Sequence, residues 1–233
     1  MIGVLGANGF VGSAVCLALK KRKIKYKKVT RKNFLKYQKY KFSILINSSM
    51  PSKRFWAKKY PKKDYFETVL KTKYFRDNFK YKKFVHISTI SSRCQKNTVY
   101  GLNKKKSEDI IKKKSNFIIF RLGPMYGRGL NKGVLLDLIS SKKVFVSKKS
   151  KYSFTNVDWV ANYIVKNLKK KNFKNQVIEV GSTDYLSLEY IKKVINSKST
   201  FYGETDNQII KNPNMKNKSS SKNVIHYLKK LVN

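Results

Sequence analysis

Acidic residues are scarce in this chain. Twelve Asp and Glu stand against 54 Lys and Arg in 233 residues, a formal charge of +42 at neutral pH. A field of that size attracts polyanions such as nucleic acid, an anionic membrane surface or a nucleotide, and it costs stability through self-repulsion. The surplus has two readings: a dedicated polyanion partner, or a compositional bias toward lysine. The runs Lys20-Lys21-Arg22-Lys23, Lys104-Lys105-Lys106, Lys112-Lys113-Lys114 and Lys169-Lys170-Lys171 are spread along the chain, as solvated helix faces and loops would be. Cysteine is also rare. Cys16 and Cys94 make no disulfide framework and no metal-ligand spacing, so no metal site is expected and a reducing cytoplasm is the default location. No apolar run is long enough to span a membrane, and an apolar segment already at Ile2 argues against a signal peptide. Internal repeats are absent.

What is present starts almost at the first residue. Ile2–Leu5 is apolar, Gly6-Ala7-Asn8-Gly9-Phe10-Val11-Gly12 follows, and Ser13–Leu19 is rich in helix formers. A buried strand that turns through glycines into a helix holds a phosphate well. Glycine lets the backbone approach a ligand closely, and the first helical amides point at the anion. The spacing is G-x-x-G-x-x-G rather than the commoner G-x-G-x-x-G. A glycine-rich turn without a ligand is the plain alternative.

With 41% hydrophobic residues the chain can build a sizeable core. Short β-rich runs alternate with amphipathic helical ones, which predicts a parallel α/β sheet. Strands are predicted at Ile2–Leu5, Lys27–Thr30, Phe42–Ile46, Lys83–Ser88, Phe117–Arg121 and Val177–Val180. Helices are predicted at Val11–Lys23, Lys63–Asn78, Val99–Lys113, Val134–Ser140, Asp158–Lys169, Leu186–Asn196 (capped by Ser187) and Ile225–Leu231. The stretch 33–41 is too short for a strand and its crossover, so the sheet is expected to be one strand smaller than usual. Asn212–Asn223 reads as a polar loop.

Tyr100 and Lys104 are spaced i, i+4 on a predicted helix and so share one face. A free phenol titrates near ~10, too high for a base at neutral pH, and a nearby ammonium would lower it. Tyr-x-x-x-Lys arises easily by chance in a lysine-rich chain. This copy follows a strand that ends in Ser88-Thr89-Ile90-Ser91-Ser92, where a hydroxyl is available for the same substrate oxygen.

Taken in order, seven stations resemble the extended or atypical short-chain dehydrogenase/reductases, in the NAD-dependent epimerase/dehydratase group that acts on nucleotide sugars. They are Gly6–Gly12; Asn47-Ser48-Ser49; Phe84–Thr89; Tyr100–Lys104 with Glu108; Arg121–Gly127; Asn156–Ala161; and Val177–Gly181. The resemblance implies a Rossmann-type doubly wound parallel sheet with a small C-terminal substrate lobe. It places the nucleotide-binding domain at 1–125. The substrate lobe, interleaved with the last strands and a basic tail, falls at 126–233. It implies that Gly6, Asn8, Gly9, Phe10, Val11 and Gly12 hold the cofactor pyrophosphate, with Asn47 and Ser48 beside the adenosine ribose and Gly123 and Pro124 near the nicotinamide. Tyr100 becomes the acid/base, Lys104 a ribose ligand that lowers its pKa, and Thr89 the partner of the reacting oxygen. A homodimer is also implied.

Cofactor choice turns on the end of the second strand. An acid there would accept from a free ribose 2′-hydroxyl; this chain has Thr30-Arg31 instead. A guanidinium suits a 2′-phosphate, so NADP(H) is expected over NAD(H), with Lys32 able to share the role. Where the sugar 4,6-dehydratases have Asp-Glu after the catalytic Thr, this chain has Ile90-Ser91, which argues against dehydration. The expected reaction is hydride transfer at a sugar hydroxyl or keto carbon, as in an epimerase or reductase. The reading from another class is a basic relative that binds RNA or another polyanion and keeps the nucleotide only structurally. His86 reads as a core or cofactor-wall residue, His226 as unpartnered, and Cys94 as an inert loop thiol. Ser91 and Ser92 read as turn chemistry. Phe55, Trp56, Tyr60 and Tyr65 read as packing under a loop, with stacking on a base of RNA or of a nucleotide substrate as the alternative.

Overall fold

Strand β1 (Ile2–Leu5) is buried along its length and lies between two parallel partners, β2 (Tyr26–Val29) and β3 (Lys41–Asn47). Next to β3 runs β4 (Lys80–Thr89), in register at Leu45 with Phe84 and at Asn47 with His86. Then come β5 (Phe117–Leu122) and, as the sixth strand, Gln176–Val180, giving the order of a doubly wound sheet with β1 near one edge. The central strands are near-continuous apolar runs because a parallel sheet is covered on both faces; Phe84 to Ser88 are all buried. The coordinates are a computed structural model that describes residues 1–170, 174–212 and 219–232.

Helices fill the crossovers: α1 (Phe10–Lys21), α2 (Phe34–Gln38), α3 (Arg54–Lys59), α4 (Pro61–Tyr65), α5 (Lys71–Asn78), α6 (Ser91–Cys94) and α7 (Val99–Lys112). Stretch 33–41 holds only the five-residue α2, so no strand intervenes between β2 and β3. The helix expected over Lys63–Asn78 is interrupted: between α4 and α5 lies a π-helical turn, Phe66–Leu70. Propensity gives no warning of it, because a single widened turn is specified by packing rather than by composition.

The Cα packing divides the chain into two units, Met1–Arg121 with Ala161–Ile178, and Leu122–Val160 with Glu179–Asn233. In the first, Leu5, Val29, Phe42, Leu45, Phe84 and Ile119 form a core with Phe75, Phe79, Ile111 and Phe117. The second has its own elements: the parallel pair β6 (Met125–Tyr126) and β8 (Thr155–Asn156), α8 (Val134–Ile139), and β7 (Lys151–Tyr152), which pairs with β10 (Leu186–Ser187). Helix α9 (Val157–Asn167) follows β8 but belongs to the first unit from Ala161 on, as does β9, the sixth sheet strand already described, through Ile178. Helices α10 (Leu188–Val194) and α11 (Asn223–Val232) complete the second unit, and they bury Leu188, Ile191, Val224 and Leu228 against Leu138 and Phe154. Ser187 caps α10 as expected, accepting from Tyr190 N at 3.2 Å. The helix itself starts two residues later than its apolar pattern suggests, because Leu186 and Ser187 are taken by β10. Part of the polar stretch 212–223, and Lys171 of the triple-lysine run, lie outside the described residues. No helix among the described residues is long and apolar enough to cross a membrane.

Candidate functional site

The turn after β1 has the geometry its glycines predict. Gly6 has φ +74°, and a Cβ there would lie 2.6 Å from Ser49 Cα. A Cβ on Gly12 would fall 2.1 Å from the Gly6 carbonyl oxygen. Gly6 thus supplies the left-handed conformation, and Gly12 the close approach that seats α1 on the turn. Gly9 precedes α1 without a side-chain cap, and no acid stands in the first turn. The first amides of a helix have no intrahelical acceptor, so this N-terminus is suited to an anion. Asn8 and Gly9 are exposed at the turn, with Phe10 and Val11 half-buried behind them. This cradle fits a pyrophosphate.

Helix α7 carries the predicted catalytic residues Tyr100 and Lys104 on its buried face. Its buried residues include Tyr100, Asn103, Lys104, Ser107, Glu108 and Ile111, the i, i+4, i+8 stripe that would ordinarily be apolar. Thr98 caps it by accepting from Gly101 N at 3.0 Å. A Cβ on Gly101 would meet the Gln95 carbonyl oxygen at 2.0 Å, so glycine lets α7 press against the end of α6.

Glu108 is the anchor of that stripe. It is fully buried and paired with Arg121 at 2.6 Å, and the Ser88 and Ser92 hydroxyls each donate to it at 2.6 Å. Burial works against the charged carboxylate, but the bonds from Arg121, Ser88 and Ser92 outweigh it and hold the carboxyl below its ordinary value. Ser92 is therefore part of the clamp that fixes α7 to β4, and more than turn chemistry.

Tyr100 and Thr89 come close enough that the Thr89 hydroxyl acts on the phenol, while Thr89 Oγ1 itself donates to Ser91 Oγ at 3.4 Å and accepts from Ser91 N at 3.3 Å. Lys104, the one buried lysine among the described residues, places its ammonium 5.1 Å from the Tyr100 ring centroid and donates to the Pro51 carbonyl at 2.7 Å. The electrostatics differ from the sequence expectation. Burial pushes the phenol up to about 12, Arg54 opposes this, Asp64 adds to it, and the Thr89 bond lowers it. The lowering charge is Arg54, where the sequence pointed to Lys104. Asp64 is fully buried on α4 and accepts from Asn103 at 2.8 Å. Neither Arg54 nor Asp64 has a sequence signal that singles it out, since each belongs to a helix far from Tyr100 in the chain.

Asn47 and Ser48 end β3 beside the glycine turn, with their side chains engaged inside the protein. Ser48 donates to the Leu5 carbonyl at 2.6 Å; Asn47 Oδ1 accepts from Ser49, and its amide reaches Thr72 at 3.3 Å and His86 Nδ1 at 3.5 Å. His86 Nε2 is 3.1 Å from Ser107 Oγ, which itself donates to the Lys104 carbonyl at 2.7 Å. These partners call for the Nε2–H tautomer. Burial holds the imidazole neutral, down to about 3. This is the core role expected of His86, and it has a pH consequence. A base whose folded value lies below its ordinary value of 6.5 contributes stability above that value and loses it as pH falls toward 3. Stability should drop by about 1.4 kcal/mol per pH unit below 6.5. Denaturant titrations from pH 7 to 5 check this: His86→Gln should flatten the slope, and a flat wild-type profile would contradict it.

The remaining predicted residues are placed as follows. Gly123 is buried in the second unit, its amide bonded to the Val180 carbonyl at 3.2 Å, and the Pro124 carbonyl accepts from Thr155 at 3.0 Å. Cys94 is exposed. Trp56 and Tyr60 rings lie 6.2 Å apart, but Phe55 is 78% exposed, so the aromatics are not packed under a loop as a set. No group of three His, Cys, Asp or Glu among the described residues could hold a metal ion.

Beside the glycine turn, a cleft of about 350 Å³ is lined by Arg31, Pro51, Lys53, Trp56 and Glu67. The Arg31 side chain is 89% exposed and leans on Glu67 at 3.7 Å.

No protein-family profile matches the chain, and no curated protein sequence does either. Solved structures do match. MoeE5 with UDP-glucose and NAD is 13% identical with a TM-score of 0.83, over 99% of this chain and 97% of that one. UDP-glucuronic acid 4-epimerase from Bacillus cereus, with UDP-glucuronic acid and NAD, is 19% identical at 0.78, over 99% of each. dTDP-4-dehydrorhamnose reductase from Bacillus anthracis, with NADP, is 16% identical at 0.79, over 99% and 98%. Most of the similar structures that hold a dinucleotide hold NAD, which overturns the expectation of NADP(H) drawn from Arg31. The physical reason is visible in the cleft, where the guanidinium is exposed and already faces a carboxylate. In fold the chain resembles these nucleotide-sugar epimerase and reductase structures.

Proposed function

We propose that this protein is an NAD(H)-dependent epimerase or reductase that transfers hydride at a hydroxyl- or keto-bearing carbon of a nucleotide sugar. The observation that carries the reading is the buried Tyr100 phenol, influenced by Thr89 at the end of β4, with the buried Lys104 ammonium over its ring at 5.1 Å from the centroid. NAD(H) supplies the hydride chemistry when bound. The chain's own residues do the rest. The turn Gly6–Gly12 binds the pyrophosphate through helix-terminal amides. Tyr100 exchanges a proton with the sugar oxygen, and Thr89 orients that oxygen. With its phenol protonated well past neutral pH, Tyr100 is ready to donate to a keto oxygen. Lys104 holds Pro51, and with it the loop after β3, against α7. The cationic surface favours a substrate carrying a diphosphate.

Mass spectrometry of nucleotides released from denatured protein tests this directly. NAD or NADH, alone or with a nucleoside-diphosphate sugar, is the expected result. Failure to find either, together with no binding of added NAD by calorimetry, would overturn the reading.

A further inference from the structure

Reading a free ribose diol takes a carboxylate, which can accept from both hydroxyls. The end of β2, where such an acid usually stands, offers only Thr30 and Arg31. The cleft beside the glycine turn nevertheless contains one. Arg31 follows β2 and Pro51 follows β3, and both strands pair with β1, so the cleft lies over the carboxyl ends of the strands that flank the pyrophosphate turn. Ligands of open α/β sheets bind at that edge. Glu67 enters the cleft from the π-helical turn Phe66–Leu70. Its two successors, Thr68 and Val69, are buried, whereas the Glu67 side chain keeps 23% of its surface in contact with solvent. Single π turns inside helices recur at functional sites because they re-aim a side chain. Trp56 gives the same cleft an aromatic face suited to a base.

We propose that Glu67 is the acid that reads the adenosine ribose in this chain, supplied from the π turn instead of from the end of β2. The inference rests on the nicotinamide-dinucleotide reading above and adds the residue that sets the choice of dinucleotide. A carboxylate in this cleft accepts from a 2′-hydroxyl and repels a 2′-phosphate. Arg31, 3.7 Å away and almost wholly exposed, serves as its counterion and does not form a phosphate clamp. Lys71, paired with Glu67 at 2.6 Å, holds the carboxylate from the far side, one helical turn on.

Calorimetric affinities for NAD, NADP and 2′-deoxy-NAD, on wild type and on Glu67→Gln, test the assignment. Wild type should bind NAD about 10-fold or more tighter than 2′-deoxy-NAD, the loss expected when a charged acceptor is left without its donor. Glu67→Gln should bind the two alike and should lose its preference for NAD over NADP. Wild type that binds NAD and 2′-deoxy-NAD equally overturns the inference, whether or not the variant folds. So does a Glu67→Gln protein with an unchanged NAD-to-NADP ratio. Wild type that binds no dinucleotide at all overturns the functional reading beneath it.

Discussion

Replacing Tyr100 by Phe should reduce turnover by about 10²–10⁴-fold, the usual share of a positioned acid/base, and should leave NAD binding intact. The ring stays, so the packing that buries it and the Lys104 contact survive; only the hydroxyl is lost. Steady-state rates with a keto sugar, paired with NAD calorimetry, separate the two effects. Near-normal turnover would sink the mechanism. The structure adds a condition that the Tyr-x-x-x-Lys spacing does not contain. Burial raises the phenol to about 12, so Tyr100 is a proton donor, and the oxidative direction needs more positive charge at the phenol than Arg54 provides there. Arg54→Met should therefore slow oxidation more than reduction, because it removes the charge that opposes burial.

The second large effect is on stability. Arg121→Met leaves the Glu108 carboxylate buried without its counterion, a loss of about 3–5 kcal/mol, or on the order of 10 °C in Tm for a chain of this size. The sign with pH is definite. Wild-type Glu108 sits below its ordinary value of 4.5, so its contribution is present above that value and fades as pH falls through the folded one. Without Arg121 the buried group resists ionisation, and the variant should recover stability relative to wild type on acidification. Thermal melts of both proteins across the acid range check this; parallel profiles would contradict it. The double change Arg121→Met with Glu108→Gln should recover part of the loss at neutral pH, since no unpaired charge is then buried.

Much of this site could be read from the sequence, for local reasons. The glycine turn is local because Gly6 φ and the Gly12–Gly6 approach are set within seven residues. The α7 stripe is local because helical spacing alone puts Tyr100, Lys104 and Glu108 on one face. The missing strand between β2 and β3 is local too, since nine residues cannot hold a strand and its crossover. The π turn at Phe66–Leu70, the role of Ser92 and the pairing of Arg31 with Glu67 could not be read this way. The first depends on packing, the second on a carboxylate 16 positions downstream, and the third on two residues 36 positions apart that meet across a cleft.

By itself the sequence determined the order of the six sheet strands, the glycine turn after β1 and the face of α7 that bears Tyr100. Each follows from steric limits and periodicities that act over a few residues. Only the tertiary structure decided how Tyr100 titrates, that Asp64 and Arg54 act on it, that Glu108 is clamped by Arg121, Ser88 and Ser92, and that Arg31 faces an acid. Burial and Coulomb interaction depend on distance in space. Asp64 and Asn103, 39 residues apart in the chain, become hydrogen-bonded neighbours only when α4 packs on α7.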